Sequence, residues 1–183
     1  MEDACSGLGS GGRRWHGGGV SRLLAILCSL FAVTGCSSLR YEYHYVPGKT
    51  GALADGQASA PEGAPAEVHA AVAAANTIAG SAYEYGGGHA TGDCHAFDCS
   101  GATSYVLRAA GAIDGAMPSK GYRNFGRSGP GEWISIWAKN GHVFLVIAGL
   151  RYDTGWHGQT EGPRWTIKSR PASGYVIRHP AGL

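Results

Sequence analysis

The chain has 183 residues, 44% of them hydrophobic, with 15 Lys and Arg against 13 Asp and Glu for a formal net charge of +2. That length suits one domain of ordinary size with extensions, and so small an excess of charge gives no argument for a nucleic-acid partner, so none is expected. The 31 glycines gather at the N-terminus and around one central segment without a period, which excludes collagen-like, coiled-coil and repeat architectures.

Near the N-terminus, Arg22 precedes the apolar stretch Leu23-Leu24-Ala25-Ile26-Leu27-Cys28-Ser29-Leu30-Phe31-Ala32-Val33, which runs into Thr34-Gly35-Cys36. A basic flank, an apolar run too short for a bilayer and small residues before a cleavage point make a secretory signal. A buried hydrophobic helix is the competing reading, and both the position and the ending count against it. The ending resembles a bacterial lipobox, which implies a signal over residues 1–35 and a lipid on Cys36 as the new N-terminus. Residues 1–19 make a long leader, so the expected start lies near Val20. Arg13-Arg14 sits among residues that fit a twin-arginine export signal poorly. Cys5 and Cys28 leave with the leader and Cys36 carries lipid, so no disulfide framework is expected. Cys94 and Cys99 remain, and a bridge between them is chemically open.

Tyr41, Tyr43 and Tyr45 alternate with polar residues, which predicts a short strand over 39–46 with an aromatic face, either packed on the domain or open to glycan. Gly48-Lys49-Thr50 is not a phosphate-binding loop, because Tyr43 stands where that motif needs its first glycine. Residues 47–65 are rich in Gly, Ala and Pro without periodicity and predict a flexible tether; about 20 such residues span roughly 25 Å. Residues 36–65 would then link the lipid to a domain over 66–183. A helix is predicted over 66–79, with Val68, Val72 and Ala75 on one face, Glu67 and His69 on the solvated side, and Gly80 as its stop.

In Phe97-Asp98-Cys99-Ser100-Gly101 the cysteine opens a second helix. Ala102, Tyr105, Val106 and Ala109 recur at helical spacing after it, and Gly111 closes the segment. At a first helical turn the unpaired amides and the helix dipole favour negative charge and offer donors to a developing oxyanion. Asp98 suits the N-cap. From Glu132 the period changes: a strand over 133–137, a turn at Asn140-Gly141, a strand over 143–148, a turn at Gly149-Leu150 and a return over 151–154. Residues 165–168 and 175–178 predict further strands. Helices first and an antiparallel sheet second make an α+β domain.

Tyr83-Glu84-Tyr85-Gly86-Gly87-Gly88, then Asp98-Cys99-Ser100-Gly101, then Gly141-His142-Val143 before an apolar strand together resemble the NlpC/P60 family of papain-like cell-wall peptidases, over residues 66–179. The resemblance implies a papain-like fold with Cys99 as nucleophile and His142 as the base that takes its proton. It also implies that Tyr85, Asp98 and Ser100 hold the free amine of the substrate's N-terminal residue. The family places a third polar residue about a dozen positions after the histidine, a register that meets Tyr152-Asp153-Thr154. Asp153 is the expected choice, because a carboxylate fixes the imidazole tautomer and stabilises the imidazolium; Thr154 and His157 are the rivals. His16, in the leader, and His179, near the end of the chain, are given no role. His89, Cys94, His95 and Cys99 cluster in sequence but lack a Cys-x-x-Cys or His-x-x-x-His pair, so neither metal nor other cofactor is expected. Cys94 reads as a loop thiol or a redox brake on Cys99.

The resemblance implies a cysteine peptidase that cleaves peptidoglycan stem peptides, at the bond between γ-D-glutamate and the diamino acid, through a thioester acyl-enzyme. A monomer anchored by lipid is expected, with Ser37 after the lipidated cysteine pointing to the outer membrane, facing the periplasm. The competing readings are a catalytically silent wall-binding scaffold and an amidase or acyltransferase on the same architecture. Nothing in the sequence distinguishes diaminopimelate from lysine as the diamino acid.

Overall fold

The computed structural model describes residues 38–90, 94–155 and 161–183. The signal segment, the lipobox with Cys36, and His157 lie outside them. The elements in chain order are β1 (Arg40–Tyr41), β2 (Ala52–Ala54), β3 (Gln57–Ser59), α1 (Ala66–Ile78), α2 (Cys99–Ala109), β4 (Arg127–Ser128), β5 (Ile134–Lys139), β6 (His142–Ile147), β7 (Leu150–Asp153), β8 (Arg164–Thr166), β9 (Arg170–Pro171) and β10 (Val176–His179). An antiparallel sheet in the order β4-β10-β5-β6-β7-β8 carries the core. The architecture is α+β, as expected.

Helix α1 buries Val68, Ala71, Val72, Ala75 and Ile78, a stripe at three- and four-residue spacing whose alanines let α2 approach closely. Glu67 and His69 are exposed, and Gly80 follows at φ +84°. Helix α2 starts where the Asp98 carboxylate accepts the Gly101 N–H at 2.7 Å, a side-chain cap that satisfies one of the orphan amides. The glycine run at 86–88 crosses this first turn. A Cβ on Gly101 would stand 1.9 Å from the Gly87 carbonyl oxygen, so the loop and the helix end meet only because neither carries a side chain there.

Side chains alternate across the sheet. Ile134, Ile136, Val143, Leu145 and Ile147 belong to the large core with α1 and α2, whereas Trp137, Phe144 and Tyr175 join Tyr41 and Ala172 in a second cluster. Strand β1 pairs with β9 beside that second cluster. The β6–β7 turn is Ala148-Gly149, at φ +45° and +76°, one residue earlier than the expected Gly149-Leu150. Two left-handed residues match the twist of a two-residue hairpin, at a steric cost for alanine that surrounding bonds must offset. Those bonds are present: Ala148 donates its N–H to the Trp133 carbonyl and accepts from Gly51, and the Tyr41 hydroxyl donates to the Gly149 carbonyl at 2.8 Å.

Two expectations are corrected. The segment 47–65 contains the β2–β3 hairpin, turning at Asp55-Gly56 with φ +50° and +78°, and is packed rather than a free tether. Ala58 is buried, and the Asn76 side chain takes its N–H and donates to its carbonyl at 2.9 and 2.8 Å. The expected strand over 39–46 shrinks to two residues: Tyr41 is buried, Tyr43 packs against both clusters and Tyr45 is 66% exposed. The folded unit therefore begins well before residue 66.

Asn76 also accepts from the Trp165 indole at 2.8 Å, so Asn76→Ala strands three polar groups. Its expected cost is about 2 kcal/mol or more, read as a lower urea midpoint, with new proteolytic cutting within 47–65. An unchanged midpoint would contradict the clamp.

Candidate active site

Cys99 is 9% exposed at the first position of α2. His142 is the first residue of β6 and Asp153 the last of β7. Leu145 lies opposite Tyr152, so one step further Asp153 faces Phe144, and alternation puts His142 on the same face, diagonal to Asp153. His142 Nε2 lies 2.8 Å from Asp153 Oδ1, which leaves Nδ1 for the Cys99 thiol. Burial alone would lower the His142 pKa. Hydrogen bonds to Asp153 and Cys99, with the charges of both, outweigh it and raise the value to about 8. The resting ring at neutral pH is therefore an imidazolium held between a carboxylate and a sulfur, a partner that stabilises a thiolate.

Asp153 has further partners. Its Oδ1 also takes the Thr154 N–H at 2.8 Å; its Oδ2 takes Arg170 Nη1 at 2.7 Å and lies 3.5 Å from Arg151 Nε. Arg170 reaches Tyr175 Oη with its other terminal nitrogen at 3.3 Å. Arg151 is fully buried, and burial together with the Arg170 charge pulls its pKa down to about 10 despite Asp153. Neither arginine was foreseen. Arg151 had a signal, since it stands two residues before Asp153 on one strand face; Arg170 comes from β9 and had none.

On the other side of Cys99, Asp98 accepts from Gly101 N–H, Gly86 N–H at 2.9 Å and Ser100 Oγ at 2.9 Å, with His89 Nε2 at 3.2 Å. Burial works to raise its pKa, and these donors hold it below the ordinary carboxylate value. His89 also lies 3.0 Å from Ser100 Oγ, a contact that sequence spacing did not reveal. Tyr85 is 90% exposed at the rim. Tyr83 lies deeper: burial, then negative charge at Cys99 and Asp98, raises its pKa. Tyr83 and Tyr85 both line the part of the cleft that holds Cys99.

The cleft has two halves that share Tyr83 and Gly141. One, of about 340 Å³, holds Asp98, Cys99, Ser100 and His89; the other, of about 310 Å³, holds His142, Lys139, Asn140 and Arg170. Among the described residues no three His, Cys, Asp or Glu converge on a point where a metal ion would sit. Cys94 and Cys99 are free thiols, with Cys94 Sγ 3.9 Å from the Ala90 carbonyl; His95 is exposed. His179 lies apart, with Nδ1 3.0 Å from the Gly129 carbonyl.

The raised His142 pKa sets a stability window. Because the folded value lies above the unfolded 6.5, the stabilisation is complete below pH 6.5 and is lost as pH rises through about 8. The urea midpoint is expected to fall between pH 6.5 and 9, and to fall less in Asp153→Asn. The same decline in both proteins would contradict the His142–Asp153 pairing.

Comparison of the chain with protein-family models, with curated proteins and with solved structures finds no match.

Proposed function

We propose that this chain is a cysteine peptidase of the papain-like, NlpC/P60 type that cuts peptidoglycan stem peptides between γ-D-glutamate and the diamino acid. One observation carries the reading: a thiol at a helix N-terminus and an imidazole line an open cleft, and a buried carboxylate is bonded to the imidazole. In the first step the Cys99 sulfur attacks the carbonyl carbon, and the free amides of the first turn of α2 receive the developing oxyanion. His142 gives its proton to the leaving nitrogen as the C–N bond breaks, leaving a thioester. Water then attacks that carbon, His142 takes its proton, and the C–S bond breaks to release the acid and restore the thiolate.

Asp98 and Ser100, beside Cys99, form a polar seat suited to the free amine at the N-terminal end of a stem peptide. A lipid on Cys36 would keep the enzyme in the envelope, at the outer membrane facing the periplasm, and acting as a monomer. Since the fold already includes residues 39–41, the 25 Å reach assigned to 47–65 does not separate domain from lipid.

The test is mass spectrometry of muropeptides after incubation with wild type, Cys99→Ala, Asp153→Ala and His157→Ala. Wild type is expected to expose a new amino terminus on the diamino acid and Cys99→Ala none. Asp153→Ala should be slower by on the order of a hundredfold, with His157→Ala near wild type. No cleavage by wild type would favour a silent scaffold, modified but uncut peptides a transferase, and near-normal turnover by Asp153→Ala would refute the third residue.

A further inference from the structure

The two groups that suit a substrate ammonium already hold a donor from this chain. Asp98 Oδ1 accepts from the Gly101 N–H at 2.7 Å and from the Ser100 hydroxyl at 2.9 Å, with His89 Nε2 at 3.2 Å, while Oδ2 accepts from the Gly86 N–H at 2.9 Å. His89 Nε2 also stands 3.0 Å from Ser100 Oγ. Ser100 gives its one hydrogen to the carboxylate, and an ionised carboxylate has none to give. The Nε2 of His89 must therefore carry a hydrogen, in the neutral ring as in the cation. An ammonium is likewise a donor only, so it reaches Oδ1 and Ser100 Oγ by displacing the imidazole from them. Exposure points the same way. The His89 side chain is 29% exposed against 8% for Asp98, and Ser100 is buried. A ligand entering the Cys99 half of the cleft meets more of the imidazole than of the carboxylate.

Asp98 is the one carboxylate among the described residues that line this half, and its four donors leave little for a fifth. A second cation there competes with His89 for the same negative charge. An amide nitrogen carries no charge and asks for no carboxylate. Resting on the reading of the site as a peptidase of stem peptides, we propose that His89 fills the amine seat and so selects substrates whose first nitrogen is acylated. A stem peptide still joined to its glycan strand by an amide enters past an undisturbed His89; a released peptide with a free ammonium must first displace it. The family resemblance carries the opposite expectation, a free amine held by Asp98 and Ser100, and His89 is the residue of this chain that separates the two. The seat keeps its fit for an ammonium, and the imidazole decides whether one can use it.

The test measures binding without turnover. Full-length Cys99→Ala protein is titrated calorimetrically with L-alanyl-γ-D-glutamate and with its N-acetyl form, each to about 10 mM, the range of weak product binding. The two ligands differ only at the first nitrogen. The acetylated one is expected to bind about tenfold or more tightly, a typical worth for one charge-assisted contact. Adding His89→Ala should reverse the order, because an ammonium then has Asp98 and Ser100 to itself. His89→Gln, whose side-chain amide can still donate to Ser100, should keep the acetylated ligand ahead. Equal or tighter binding of the free amine by the protein that retains His89, binding of neither ligand, or an order unchanged by a His89→Ala variant of normal urea midpoint would overturn the plug. If His89→Ala does not fold, the order in the protein that retains His89 decides alone. Cleavage of stem peptides, scored separately, keeps the two proposals apart. A protein that cuts free and N-acetylated stem peptides equally well loses the plug and keeps the peptidase; one that shows the His89-dependent order but cuts nothing loses the peptidase and keeps the plug.

Discussion

The Asp153 carboxylate is buried to within 2% of full enclosure and is divided among His142, Arg170, Arg151 and the Thr154 amide. A carboxylate so enclosed is costly unless paired and hydrogen-bonded, and each partner comes from a different place. His142 starts β6, Arg151 lies on β7 itself, and Arg170 belongs to β9, which is paired with β1. The charge arrangement therefore requires the sheet, its second face and the N-terminal segment to be assembled together. Removing the carboxylate would leave two arginines confined near an imidazolium, a change that acts on stability as well as on chemistry.

The N-terminal segment serves the same constraint from another direction. Ala148-Gly149 sets which residue of β7 meets His142, and its left-handed alanine is held by Gly51, Trp133 and, through Gly149, Tyr41. Had the turn formed at Gly149-Leu150, His142 would face position 157 instead of 155, and Asp153 would move two places along the sheet. Residues 39–59 thus act as a splint on the β6–β7 register. At the opposite end of the cleft the side-chain-free contact of Gly87 with Gly101 brings the Gly86 amide and His89 against Asp98 and Ser100 at the start of α2.

This explains what could and could not be read in advance. The start of α2 was legible because Asp98 is a strong cap before a helical apolar period, and α1 because its alanines and valines repeat cleanly. Asp153 was legible by chemistry and by parity, since a shift of a two-residue turn by one position keeps odd residues on the His142 face. The hairpin at 52–59 was hidden by composition: Asp55-Gly56 is a turn signal, but few apolar neighbours marked the strands, and the bonds that fix them come from Asn76 across the fold. Tyr83 and Tyr85 differ only in which points inward, which the strand-like spacing leaves open. Arg170 and His89 act through tertiary contacts alone.

The most direct measurement of the central claim is an NMR titration of the His142 ring in the full chain, beside the same titration in Asp153→Asn. The account predicts a midpoint near 8 for the native protein and a value displaced downward in the variant, because burial then acts without the carboxylate that opposes it. A native midpoint at or below 6.5, or one that does not move when Asp153 loses its charge, would contradict it.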